Sequence, residues 1–354
     1  MDELDKSLDK VRDNVAITDA FMKADSVINN PAYERVSVSV SGGADSDIMM
    51  DLITKVDRSR KCRFVFFDTG MEYQATKDHL VYLEDRYQRE IVRRKAVEPI
   101  PLAVKRHGVP FLTKIAAEKI HKLQKAGFGW EIGNWATLNA RYPHAKDPVG
   151  WWTDEWVKIA NEKKGRKDKT SIFTISRHKG LREFMHDNPP DFEISSMCCT
   201  YVKKKTGHEW EAESGAQLEV VGMRKAEGGA RSSLKGCFSP RSEKNIDRYR
   251  PLFWFSDKDK ETYEERFGVI HSRCYTEYGM KRTGCAGCPF NSRAVSELET
   301  VEKYEPKLVK ACRGVFGKAY DYTAKYRAFA DDLKRKERLE AKFYEDPEQI
   351  GIQF

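Results

Sequence analysis

No stretch of this 354-residue chain approaches the roughly 18 consecutive apolar residues that a membrane-spanning helix requires. The first residues, MDELDKSLDKVRDNV, lack the basic patch and apolar core of a secretory signal, and instead set Leu4, Leu8, Val11 and Val15 on one predicted helical stripe. The expectation is therefore a soluble, cytoplasmic protein with no membrane partner. Internal repeats and low-complexity tracts are also missing, which excludes solenoids and disordered linkers. At this length a small disulfide scaffold is excluded too, and a reducing compartment points the eight cysteines toward metal ligation or chemistry. Charge of one sign is only mildly in excess: 63 basic against 55 acidic side chains leave +8, too little to establish nucleic-acid binding.

What is present alternates between strand and helix. Val36 to Val40 is a β-branched run followed by Ser41-Gly42-Gly43-Ala44-Asp45-Ser46 and an apolar stretch from Ile48 to Val56. Arg63 to Phe67 predicts a second strand ending at Asp68-Thr69-Gly70-Met71-Glu72, with a helix through Leu80 and Leu83, and Glu90 to Arg93 a third. This alternation predicts an α/β fold with a parallel sheet and a ligand outside the carboxyl ends of the strands. From Lys105 to Pro190 the pattern becomes Trp-rich and helical (Trp130, Trp135, Trp151, Trp152, Trp156), read as an insertion whose tryptophans form core or interface, with base stacking as the alternative. Leu218 to Gly222 returns to the sheet, and a charged helix follows Cys288-Pro289. The expected division is 1–104, 105–190, 191–295 and 296–354.

The first chemical constellation is Ser41 to Ser46. Two glycines let the backbone turn its N–H groups toward a phosphate, the serines add hydroxyl donors, and the following helix adds its positive end. The bland alternative is an ordinary glycine turn with Asp45 or Ser46 as a cap. No lysine stands where the GxxxxGK[ST] phosphate loop has one. The second constellation is Cys198-Cys199 with Cys285-Ala286-Gly287-Cys288. Buried thiols, a four-thiolate zinc site and an iron-sulfur cluster are all open. Adjacent cysteines suit the separate iron corners of a cubane better than one tetrahedral ion. Cys274 and Cys237 flank the second pair as substitutes. Basic side chains gather in residues 161–190 and 201–250, the second stretch including Lys203-Lys204-Lys205 directly after the first cysteine pair, Arg224, Lys225 and Arg231. They read equally as a solvated face or as cover for nucleotide phosphates and an anionic partner.

SGGADS resembles the PP-loop of the N-type ATP pyrophosphatases, and Asp68-Thr69-Gly70-Met71-Glu72 resembles the DTGxE element of their phosphoadenosine phosphosulfate (PAPS) reductase-like branch. Gly222-Met223-Arg224-Lys225-Ala226-Glu227 with Arg231 is similar to that branch's GxRxxE and trailing arginine, and Arg250-Pro251-Leu252 with Trp254 and Asp257 to its RPL and tryptophan region. The resemblance runs from about Val36 to Phe290 apart from the Trp-rich insertion. It implies an adenine-nucleotide alpha-hydrolase-like (HUP-type) sheet and an ATP site formed by Ser41, Gly42, Gly43, Asp45, Ser46, Asp68, Thr69 and Gly70. Catalytic roles fall to Asp45, which binds Mg²⁺ or orients the loop, and to Arg224, Arg231 and Lys203, which offset phosphate charge. It further implies a [4Fe-4S] cluster on Cys198, Cys199, Cys285 and Cys288, as in adenosine phosphosulfate reductases and sulfur transferases of DNA phosphorothioation.

Two departures weigh against sulfate reduction. The family's reductases attack with a cysteine in an ECGxH-type tail. Here the last residues carry no such motif and only Cys312 lies beyond the CxxC, and the phosphate loop has the glycine-glycine form of ATP users. The expected function is ATP cleavage at the α phosphate for sulfur transfer, with a nucleic-acid acceptor and a sulfur donor such as a cysteine desulfurase. The alternatives are a PAPS or adenylyl-sulfate reductase, or a nucleotide-binding accessory subunit in a phage, defence or CRISPR-type effector complex. A homo-oligomer is a further expectation.

Overall fold

The structure, a computed structural model, describes residues 3–155, 174–228, 231, 233–242 and 246–345. Trp156 and much of the basic stretch expected in 161–190 lie outside the described residues. The chain forms two compact units. One comprises Met1–Pro101, Cys199–Ala286 and Glu299–Val309, the other Leu102–Cys198, Gly287–Leu298 and Lys310–Phe354.

The first unit is built on a six-stranded sheet. Its elements begin with α1 (Glu3–Val11), α2 (Val15–Ile28), β1 (Val36–Ser39), α3 (Ala44–Val56), β2 (Cys62–Asp68), α4 (Gln74–Tyr87) and β3 (Ile91–Lys95). The helix α5 (Ile100–His107) leaves it, and after the second unit's α6 (Lys114–Lys125), α7 (Trp135–Arg141), α8 (Lys146–Thr153) and α9 (Leu181–Asp187) the chain returns. There follow α10 (Thr206–Ser214), β4 (Leu218–Val221), β5 (Phe238–Ser239), β6 (Asp247–Tyr249), α11 (Asp257–Phe267) and the single turn α12 (Arg273–Thr276). The helices α13 (Ala294–Val301) and α14 (Pro306–Glu345) complete the described chain.

The strand order is β3-β2-β1-β4-β6-β5, all parallel except β5, which pairs antiparallel with β6. Val36, Ser37 and Val38 are all buried, because a central parallel strand is covered on both faces. The expected α/β architecture, a parallel sheet flanked by helices, is thus present. The connection order reverses between β1 and β4, and the chain leaving β1 there is the SGGADS loop, so it opens into the crevice at the switch point. Beneath it, Phe21, Ile48, Met50, Phe64 and Leu80 belong to one continuous core.

The N-terminal stripe is corrected in one respect. Val15 is 83% exposed and begins α2, because Asn14 interrupts the helix and caps the next one by accepting the Ile17 N–H at 3.0 Å. The paired strands β5 and β6 carry no alternation long enough to predict them. In the second unit Trp130, Trp151 and Trp152 are buried with Phe111, Phe184, Tyr322 and Tyr326, which places them in a core. Trp152 donates its indole N–H to the Glu131 carbonyl at 3.0 Å, the partner a buried indole needs. Among the described residues no helix is long and apolar enough to cross a membrane.

Candidate functional site

A cleft of about 890 Å³ opens at the carboxyl ends of β1, β2 and β4, wholly within the first unit. Of the residues expected there, Ser41, Gly43, Asp45, Ser46, Thr69, Lys203, Arg224, Arg231 and Cys285 line it. Gly42, Asp68 and Gly70 shape its walls instead. Gly42 holds φ +65°, and a β-carbon there would stand 2.8 Å from the Thr76 methyl. Asp68 Oδ1 accepts the Gly70 N–H at 2.9 Å, which turns the chain after β2.

The loop is held by hydroxyls. Ser46 Oγ accepts the Ser41 N–H at 2.9 Å, Ser41 Oγ the Gly43 N–H at 3.4 Å, and the Tyr275 phenol oxygen the Ala44 N–H at 3.1 Å. Gly43 caps α3 without a side chain, leaving the helix start open to the cleft.

Asp45 does not stand alone. Arg224 Nε donates to its Oδ2 at 2.9 Å, and Lys260 Nζ lies 3.3 Å from its Oδ1. Arg224, only 7% exposed, also donates from Nη1 to Asp257 Oδ1 at 2.9 Å. Burial works against its charge, and Asp45 and Asp257 more than restore it, so its pKa is raised. Arg231 and Arg282 both pair with Glu227, at 3.1 and 2.9 Å.

Beside the loop, buried Glu72 accepts from both the N–H and the hydroxyl of Thr69. Burial raises its pKa despite those bonds and the nearby Lys203. The same group surrounds Cys285. Burial, Glu72 and Cys199 push that thiol up, while Lys203 and a Thr69 hydrogen bond oppose them. Cys199 and Cys285 therefore share one neighbourhood in the first unit. Cys198 and Cys288 belong to the second. None of the eight cysteines is in a disulfide. Among the described residues no three His, Cys, Asp or Glu side chains converge as ligands for a metal ion.

Sequence reasoning missed Lys260, Glu264 and His271. Asp257, Lys260 and Glu264 recur at three- and four-residue spacing, one face of α11, and that was a usable signal. Tyr275 and Thr283 carried none, since nothing in their spacing ties them to the loop.

Residues 35–127 match the family model of the phosphoadenosine phosphosulfate reductase domain. No curated protein matches the chain. Among solved structures the chain is similar to the PAPS reductase of Candida auris in a phosphate complex, at 12% identity over 80% of this chain and 93% of that one, with a TM-score of 0.40. It is similar also to the U34-tRNA thiolase NcsA of Methanococcus maripaludis with its [4Fe-4S] cluster, at 13% identity over 89% and 80%, TM-score 0.37. A third is the NH3-dependent NAD synthetase of Campylobacter jejuni, at 9% over 87% and 94%, TM-score 0.35. Residues 35–127 thus match a PAPS reductase domain, in agreement with the DTGxE-type element that the sequence places within them.

Proposed function

We propose that the chain binds ATP in the first unit's cleft and cleaves it between the α and β phosphates, activating an acceptor for sulfur transfer. The observation that carries this reading is the SGGADS loop at the switch point, opening into a cleft that Lys203, Arg224 and Arg231 also line. An acceptor oxygen forms a bond to the α phosphorus. The bond from that phosphorus to the bridging oxygen breaks, and pyrophosphate leaves with the electron pair. The terminal sulfur of a persulfide donor then attacks the acceptor carbon that bears the activated oxygen, the carbon–oxygen bond breaks and AMP leaves with the electron pair, and an external thiol cleaves the resulting disulfide to free the thiolated acceptor and the oxidised donor.

The protein's main task in such a transfer is positioning and charge stabilisation. Ser41 to Ser46 hold the phosphates, and Lys203, Arg224 and Arg231 offset their charge. Asp45, with both oxygens facing cations, orients the loop, and Mg²⁺ enters with the nucleotide. Cys198, Cys199, Cys285 and Cys288 would hold a [4Fe-4S] cluster, which supplies a site for binding and activating sulfur. The donor chemistry around Cys199 and Cys285 fits such a group. Cys199 is near enough to Cys285 to bear on its thiol electrostatically, and the Lys203 ammonium and Thr69 hydroxyl are at hand for the negative charge of a thiolate-ligated cluster.

The family model itself favours a second reading, PAPS or adenylyl-sulfate reduction. Against it stands Cys312, the one cysteine beyond the CxxC, which is fully buried inside α14 rather than free to attack. Chromatographic product analysis separates the two. AMP and pyrophosphate from ATP, with activity kept in Cys312→Ser, is the expected result. Sulfite released from a phosphosulfate by a thiol reductant, and lost in a folded Cys312→Ser variant, would establish the reductase. Binding of ATP without turnover would leave an accessory role.

A further inference from the structure

Tyr275 reaches the phosphate loop from 231 residues away. Its helical turn α12 is anchored by Ser272, which accepts the Cys274 N–H at 3.2 Å and donates to the Ala75 carbonyl at 3.1 Å. The ring is held beside His271, with centroids 5.7 Å apart. At its tip the phenol oxygen accepts two amides, Ala44 N–H at 3.1 Å and Thr283 N–H at 3.3 Å, and lies 3.2 Å from Thr283 Oγ1.

A phenol oxygen offers two lone pairs and one proton. The amides take the lone pairs, so the phenol proton goes to Thr283 Oγ1. The Thr283 hydroxyl proton is then left for the cleft that the residue lines. A β-carbon built on Gly43 would come within 3.1 Å of Thr283 Oγ1, which sets that oxygen over the centre of the loop. Burial raises the Tyr275 pKa, so the phenol keeps its proton near neutrality.

We infer that Thr283, oriented by Tyr275, is a further phosphate-binding hydroxyl of the loop and takes an oxygen of the nucleotide's polyphosphate. The inference rests on the reading of the cleft as a nucleotide site and adds a binding residue outside every motif. Donation runs from Ala44 N–H through Tyr275 and Thr283 to the ligand, each bond polarising the next. Thr283 is the binding residue and Tyr275 a positioning residue.

The test is calorimetric titration of the full chain with inorganic pyrophosphate and with Mg²⁺-ATP, with unfolding midpoints recorded alongside. Thr283→Val keeps the shape and removes the hydroxyl, and should weaken both ligands by roughly tenfold, the scale of one charge-assisted hydrogen bond. Thr283→Ser should bind as wild type, and Tyr275→Phe should lose part of the same affinity. Thr283→Ala gives the same reading where Val is not accommodated. Wild-type affinity in folded Thr283→Val or Thr283→Ala overturns this assignment and leaves the nucleotide site standing. Failure of the wild type to bind either ligand overturns both.

Discussion

Arg224 donates to Asp45 at 2.9 Å across 179 residues of sequence, tying the segment after β4 to the first turn of α3. The contact belongs to a longer alternation of charge. Asp257 and Asp45 flank Arg224, Lys260 lies between Asp45 and Glu264, and His271 bridges Glu264 at 2.7 Å and Asp47 at 2.8 Å. The phosphate loop is thereby fixed to α11 and to the segment before α12. Removing Arg224 as Arg224→Ala should cost about 2 kcal/mol of stability, because it leaves Asp45 without its best partner in a half-buried site. Denaturant unfolding of the two single variants and of the double variant with Asp45→Asn should show a coupling of roughly 1 to 2 kcal/mol. Additive effects would mean the pair is not coupled.

His271 supplies a pH dependence. Burial alone would lower its pKa, but hydrogen bonds and charge from Asp47 and Glu264 outweigh it and raise the value to about 9. Lys260 is the other cation on Glu264, and His79 the other imidazole on Asp47. A group whose pKa is higher folded than unfolded contributes stability that is complete below its unfolded value, about 6.5, and lost as pH rises through the folded value. Urea unfolding should therefore show on the order of 2 kcal/mol lost between roughly pH 6.5 and 9 that His271→Gln does not show. Identical slopes in both proteins would remove His271 as the source.

Gly287, inside the CxxC, has φ +63°, and a β-carbon there would lie 2.6 Å from the Tyr320 hydroxyl and 2.9 Å from Cys312 Cβ. Tyr320 also donates to the Gly287 carbonyl. Gly287→Ala should destabilise the fold by about 2 to 3 kcal/mol through strain and overpacking. Gly284, one residue before Cys285, has nothing within 4 Å of a built β-carbon, and Gly284→Ala should change stability by less than about 0.5 kcal/mol. Thermal unfolding of both variants checks the contrast.

Protein purified without oxygen should be brown, with about four irons and matching acid-labile sulfide per chain, as a cubane on four cysteines requires. Serine at Cys198, Cys199, Cys285 or Cys288 should bleach it. Zinc in one-to-one ratio without sulfide would point to the tetrahedral alternative instead.

The parallel sheet and the glycine turn after β1 were legible in the sequence because both are written locally. Val36 to Val40 has the β-branched composition of a central strand, and SGGADS has the glycines and hydroxyls a tight anion turn needs, so neighbouring residues alone announce them. The pairing of β5 with β6 was not legible, since Phe238–Ser239 and Asp247–Tyr249 are too short to show a period. Nor was the partnership of Asp45, because an ion pair leaves no trace at either residue's own position. The return of β4 beside β1 brings Arg224 to Asp45, and the packing of α11 brings Lys260. Tyr275 and Thr283 differ again: a phenol and a hydroxyl are common side chains, and the Ser272 anchor gives them their place. Sequence by itself determined strands β1 to β4, the loop and the family resemblance, all matters of local chemistry. The charges and hydroxyls that complete the cleft were decided by long-range packing, whose energies depend on distances that no sequence spacing encodes.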